Sequence, residues 1–266
     1  MRRTARSLYA TLLLSVLSAT GDLLPVGQGT EAVAGADSHP HRATSVTAPS
    51  SRPNGPARSD SLILLGESLL PLIADFNADD SSTRFMVVLS PKCPSCAHGA
   101  EAIKEALLNA GSPSIPIFIV WTPMVTGDDE AAARAAMKSI HFRRVRHYYD
   151  PENRVGSGLR HDVFPGSVAE MRASVPRDHF IAKPLEQRPP DTPEWDIYMF
   201  YDSAIRWTDT TPRPSRWVRQ LAQFGHPGGK LLSLMWVNSY RDPPKEGDLA
   251  TQILKLSKPE TPPEPR

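Results

Sequence analysis

Cys93 and Cys96 are the only two cysteines in the 266 residues, and the two residues between them are Pro94 and Ser95. A bridge between such close neighbours closes almost no loop, so it constrains little of the unfolded chain and cannot serve as an architectural staple. Its use is chemical. The pair sits in Ser90-Pro91-Lys92-Cys93-Pro94-Ser95-Cys96, directly after the apolar run Arg84 to Leu89 (RFMVVL). It opens a stretch to Ala110 in which Cys96, Ala100, Ile103 and Leu107 recur at steps of four, three and four. That spacing predicts a strand followed by an amphipathic helix with the cysteines in its first turn. At a helix N-terminus, free amide hydrogens and the helix dipole favour a negative charge, so Cys93 is expected to be the thiolate and the nucleophile. Cys96, one turn further and on the apolar face, is expected to be buried and to resolve a mixed disulfide.

A Cys-x-x-Cys pair is also half of a zinc site, but no second cysteine pair is present and a structural zinc ion needs four ligands. His98 is the nearest further donor, which leaves a soft-metal (copper) carrier as an alternative to redox chemistry. A non-catalytic scaffold is the other alternative. No metal site and no cofactor is assigned on the main reading. Asp128 and Asp129 read as helix-capping residues. Trp121, Trp195, Trp207 and Trp217 read as core, and His39 and His41 as solvated residues of a polar tract. No phosphate loop, nucleophilic serine motif or zinc-protease helix is present.

The elements that must hold the pair follow from periodicity. Leu62, Leu65, Leu69, Ile73 and Phe76 suggest a helix interrupted by Pro71. Pro94 suits the first turn of the cysteine helix and Gly111 its C-terminal cap. Ile115 to Trp121 reads as a second buried strand, Asp128 as the start of a helix, and Val145 to Asp150 as a third strand ending in an Asp-Pro turn. His161 to Pro193, with six prolines, reads as a long irregular insertion with one helical turn. Trp195 to Asp202 alternates as a strand, with Trp195, Ile197, Met199 and Tyr201 on one side and Asp196, Tyr198, Phe200 and Asp202 on the other. Ile205 to Trp207 is expected to pair back on it as a hairpin. Pro212 to Phe224 is expected to be a helix capped by Ser215, and Lys230 to Tyr240 an added strand or helix.

RFMVVLSPKCPSC, the helix after it and IPIFIVW together resemble the active-site half of a thioredoxin-like protein, over about residues 61–225. Trp121-Thr122-Pro123-Met124, Glu194 to Tyr198 and Arg213 to Trp217 are similar to segments of uncharacterised bacterial thioredoxin-like proteins. The resemblance implies an α/β fold, a three-layer α/β/α sandwich around a central mixed sheet. It also implies thiol-disulfide oxidoreductase activity with Cys93 as nucleophile and Cys96 as resolving cysteine. Such proteins hold the substrate peptide at a cis-proline before the strand beside the cysteines. By position this falls on Pro193, and with Pro94 it makes up the expected substrate-binding set.

The remaining segments bound the setting. Arg2, Arg3 and Arg6 precede an apolar stretch from Leu8 to Ala19, with small-residue cleavage sites at Ala32 to Ala36. Residues 1–34 therefore read as an export signal, with an uncleaved membrane anchor as the lesser possibility. Residues 35–60 contain almost no large apolar residue and read as a disordered linker, and residues 226–266 as a partly disordered C-terminal extension. The 27 prolines, about twice the usual ~5% share, suit a chain with such flanks. A net charge of +1 offers no electrostatic case for a nucleic-acid partner. The expectation is an extracytoplasmic monomer, periplasmic or secreted, that meets protein thiols or disulfides and a redox partner, where stable cysteine oxidation is possible.

Overall fold

The computed structural model describes residues 61–78, 82–108, 115–142, 144–225 and 231–258. The export segment, the linker, Gly111 and the last eight residues lie outside them. Within them the chain builds β1 (Leu62–Leu64), α1 (Leu70–Ala78), β2 (Arg84–Leu89), α2 (Pro94–Ile103), β3 (Ile117–Trp121), α3 (Glu130–Met137) and β4 (Val145–Tyr149). There follow α4 (Arg154–Gly158), α5 (Ser167–Ser174), α6 (Ala182–Gln187), β5 (Ile197–Tyr201), β6 (Arg216–Gly225), β7 (Leu231–Val237), β8 (Lys245–Gly247) and α7 (Leu249–Ser257). The strands form one sheet in the order β1-β4-β3-β2-β5-β6-β7-β8. Pairing from β1 to β2 is parallel and from β2 to β8 antiparallel, so the sheet is mixed and the fold is α/β.

Central strands are buried on both faces, and their composition shows why. β2, β3 and β5 are aromatic, β-branched or other large apolar residues almost throughout, and every residue in them is buried. Successive side chains point to opposite faces. Phe85, Val87, Leu89, Tyr198 and Phe200 pack with α2, α3 and α7. Met86, Val88, Ile197, Met199 and Tyr201 pack with α1 and the helices between β4 and β5. Helices thus cover both faces. The one cation inside β2, Arg84, is fully buried and donates to the carbonyls of Phe76 (3.0 Å), Asp202 (2.8 Å) and Ile205 (2.6 Å). Among the described residues no helix is long and apolar enough to cross a membrane.

Several expectations are corrected. Pro71 does not interrupt a long helix but sits in the first turn of α1, while Leu62–Leu64 is an edge strand paired with β4. The insertion from His161 to Pro193 carries α5 and α6 rather than a single turn. Pro212 to Phe224 is not a helix: Arg216–Gly225 is β6, hydrogen-bonded between β5 and β7. Ile205 to Trp207 forms no strand, because β6 takes the edge of β5 that a hairpin would have used. Trp207 instead packs edge-on against Phe76 at 5.8 Å. The C-terminal extension adds two strands to the sheet, and α7 brings Leu249, Ala250, Ile253 and Leu256 into the cluster beneath α2. Of the segment from Lys230 to Tyr240, Leu231–Val237 is strand.

Candidate redox site

β2 ends at Leu89 and the chain turns through Ser90 to Lys92 into α2, whose N-cap is Cys93 in an extended conformation with Pro94 at the first helical position. This is the strand-to-helix junction read from the sequence. Cys93 is half-buried and Cys96 buried, both are free thiols, and the pair stands 3.4 Å apart. Cys93 Sγ lies 3.0 Å from the Ser95 hydroxyl, and Cys96 Sγ accepts the amide of Ser90 at 3.3 Å. The pair is electrostatically unequal. Donation from the Cys96 thiol, opposed by partial burial and reinforced by Ser95 and the first-turn amides, lowers the Cys93 pKa from 9.0 to about 6. Burial drives the Cys96 thiol well above its ordinary value, and the hydrogen bond to Cys93 and the charge of Asp196 add to it.

Because β5 runs antiparallel to β2, its first residues arrive where β2 ends. The Asp196 amide donates to Val88 O at 2.7 Å, which places the aspartate beside the cysteines. It sits in the left-handed region (φ 55), a conformation that aspartate tolerates better than most residues. Asp196 is 2% exposed, and one of its carboxylate oxygens lies within 4.8 Å of both sulfurs. Oδ1 accepts the Tyr198 hydroxyl at 2.7 Å, while Oδ2 has no hydrogen-bond partner. Burial, with the negative charge of Cys93 added, outweighs the stabilising Tyr198 hydroxyl and raises the Asp196 pKa from 3.8 to about 7. Room for Tyr198 comes from α2, where a β-carbon on Gly99 would stand 1.6 Å from the tyrosine oxygen. A glycine in mid-helix costs ~1 kcal/mol relative to alanine, and here it lets the tyrosine reach Asp196.

The turn before α2 is held from the neighbouring β3–α3 loop. Asp129, not Asp128, caps α3 by accepting the Ala132 amide at 2.7 Å. Asp128 accepts from Ser90 Oγ (2.6 Å), Lys92 N (2.9 Å), Met124 N (2.9 Å) and Val125 N (3.0 Å). It therefore ties the two loops together next to Cys93. A second polar group lies behind the approach to β5. Glu194 and Arg219, both 1% exposed, pair at 3.2 Å, and Glu194 also accepts from Ser167 Oγ (2.5 Å) and Tyr240 (3.2 Å). Trp195 is half-buried, packs against the same apolar cluster as Cys93 and carries the Arg188 guanidinium 4.0 Å above its ring.

The structure brings together Cys93, Cys96 and Pro94 as the sequence placed them. Pro193 is not the cis-proline that was expected. The described residues contain no cis peptide bond, so the Thr192–Pro193 bond is trans. Pro193 packs on α4, where a β-carbon on Gly156 would lie 3.1 Å from its own. Glu194 and Trp195 intervene before β5, so the residue that reaches the dithiol is Asp196. His98 is also outside the cluster: the charges that act on it are Asp248, Glu105 and Glu101. Asp196, Tyr198 and Gly99 lie at the candidate site without having been singled out from the sequence, and Asp128, read there as a helix cap, instead ties the loops beside Cys93. One signal was present, the alternation that puts Asp196 and Tyr198 on the same face of β5. Trp121, Trp207 and Trp217 are buried core residues, as read.

Comparison of the chain with protein-family models, with curated proteins and with solved structures returns no match.

Proposed function

We propose that the chain is a thioredoxin-like thiol-disulfide oxidoreductase that acts on protein thiols and disulfides through Cys93 and Cys96. The single observation that carries this reading is the asymmetry of the pair: a half-buried Cys93 at the N-cap of α2 beside a buried Cys96 one turn in, an arrangement that lowers the first thiol to about 6 and raises the second. The sheet lends support, since the strand that leads into the cysteines lies at its centre, with parallel neighbours on one side and antiparallel strands on the other. The export-type segment at residues 1–34 supports an extracytoplasmic setting, in which the substrates are exported proteins and a separate redox partner resets the pair.

In the reducing direction the Cys93 thiolate attacks one sulfur of a substrate disulfide. A Cys93–substrate bond forms, the substrate S–S bond breaks, and the departing substrate thiolate takes a proton. That attack discharges the negative charge at Cys93, which removes one of the causes that keep Asp196 protonated. Asp196, now more readily a carboxylate, accepts the Cys96 proton directly or through one water. Cys96 then attacks Cys93 Sγ, releasing the second substrate thiol and leaving a Cys93–Cys96 disulfide. Two electrons have passed from the pair to the substrate, together with the Cys96 proton and one proton from solvent, because Cys93 enters the reaction as the thiolate. Oxidation of a substrate dithiol is the same sequence reversed.

Turbidimetric reduction of insulin with dithiothreitol as the electron source tests the proposal. Cys93→Ser is expected to abolish activity, and Cys96→Ser to accumulate mixed disulfides that a non-reducing gel resolves. Full activity in Cys93→Ser overturns the reading.

A further inference from the structure

Two thiols and a carboxylate meet at one point of this fold, and the sequence alone supplied only the thiols. Cys93 Sγ, Cys96 Sγ and an Asp196 oxygen lie within 4.8 Å of one another, and this is the one such group of three potential ligands among the described residues. Each element is fixed independently. Cys93 and Cys96 are set by the first turn of α2, and Asp196 by the hydrogen bond that its amide donates to the Val88 carbonyl and by acceptance of the Gln220 amide at its own carbonyl (2.9 Å). The carboxylate is also oriented from outside, because Tyr198 occupies Oδ1. Its Oδ2 is buried without a hydrogen-bond partner, an arrangement that costs free energy in a closed core unless something else satisfies the oxygen.

We propose that the reduced chain holds a divalent zinc-class cation between Cys93, Cys96 and Asp196. Two thiolates with one carboxylate make a mixed soft and hard donor set, which zinc accepts and which copper(I), with its preference for soft sulfur ligands, disfavours. Tyr198 acts as the outer partner that fixes the direction of the carboxylate, as the hydrogen bonds of ligating groups generally do. Three protein ligands leave a tetrahedral ion a fourth position for water or a substrate group. His98 takes no part. Occupancy and thiol exchange are mutually exclusive, because a ligated thiolate is not free to attack a disulfide and the oxidised pair offers no thiolate. The site therefore stores the dithiol in a protected form until the ion is removed.

The test uses the full chain, reduced and then freed of reductant under argon, titrated with Zn2+ against a chromophoric chelator, with Co2+ as a spectroscopic stand-in. Expected are one ion per chain, a sulfur-to-cobalt charge-transfer band, and no binding by the oxidised protein. Asp196→Asn keeps the backbone preference and removes the charged ligand. It is expected to weaken Zn2+ binding at least ~10-fold, since loss of an outer partner alone typically costs ~10–100-fold. Tyr198→Phe is expected to weaken it less, and His98→Ala to leave it unchanged. Circular dichroism of each variant separates loss of the site from loss of the fold. Equal affinity in wild type and a folded Asp196→Asn, one ion shared by two chains, or no binding at all overturns the proposal. Insulin reduction in the presence of a chelator reports separately on the redox reading, so the two can fail independently.

Discussion

The Cys96 thiol is the largest single cause of the low Cys93 pKa, so replacing it should change the reactivity of a residue that is itself untouched. With a pKa of about 6 in place of 9.0, Cys93 is ~90% thiolate at pH 7, against ~1% for an ordinary cysteine. Intrinsic nucleophilicity falls along with basicity, and at a Brønsted slope of about 0.45 that drop costs ~20-fold in rate. The balance is a rate of alkylation by iodoacetamide that is ~4-fold faster than an ordinary thiol at pH 7. At pH 9, where the ordinary thiol is half ionised, it is ~10-fold slower. This crossover is the signature of the environment. In Cys96→Ala the donor is gone, and the midpoint of the rate profile is expected to move up toward the ordinary value of 9.0. In Cys96→Ser a hydroxyl remains to donate, and the midpoint is expected to stay close to that of the wild type. The assay is the pH dependence of alkylation, with thiolate absorbance in the far ultraviolet as a second reading; Cys96 is buried and its thiol is raised by that burial, so Cys93 is the thiol that ionises first. The reasoning is refuted if the wild-type midpoint is that of a free cysteine, or if Cys96→Ala leaves it in place.

Three further outcomes are expected. Relative to Asp196→Asn, the reduced wild type should lose stability as pH rises from about 4 to about 7, because the folded pKa of Asp196 is raised: its contribution is full below 3.8 and lost as pH climbs through about 7. Burial lowers His147 to about 4, which acts in the opposite sense over the same range, so the difference between the two proteins' urea midpoints is the quantity to follow; a flat difference contradicts the assignment. Gly99→Ala should destabilise the fold by ~2 kcal/mol or more, because overpacking against Tyr198 outweighs the ~1 kcal/mol gained in helix propensity. Part of that cost should be recovered in Tyr198→Phe, and a Gly99→Ala variant as stable as wild type would sink the packing argument. Asp128→Ala strips the acceptor from four donors in two loops and should cost ~2 kcal/mol in urea unfolding; a loss under about 0.5 kcal/mol, below the usual worth of even one hydrogen bond, would mean that the loops hold without it.

β2, the start of α2 and β3 were legible because each is a buried apolar run or a 3.6-period face bounded by its own turn residues, and β4 by the Asp-Pro turn that ends it, information carried within about ten neighbours. β6 was not. Trp217, Val218, Leu221 and Phe224 can be read at helical spacing, yet hydrogen bonding to β5 and β7 made the segment a strand, and such pairing is a property of distant residues. The trans Pro193 was illegible for a related reason. Glu194 and Trp195 shift the approach to β5, and only the packing of Pro193 on Gly156 reveals that a different residue reaches the cysteines.

By itself the sequence determined where the two thiols sit and in which order, since a strand, a tight turn with proline and a helix N-terminus are local matters that dictate which cysteine is half-buried at the N-cap and which is buried one turn in. Tertiary structure alone decided what surrounds them. Asp196 lies 100 positions after Cys96 and meets it only because β5 runs antiparallel to β2, so that its first residues fall at the point where β2 delivers the helix. Gly99 and Tyr198 fit each other for the same reason: the contact is made across the sheet-to-helix layer, where no spacing along the chain could announce it.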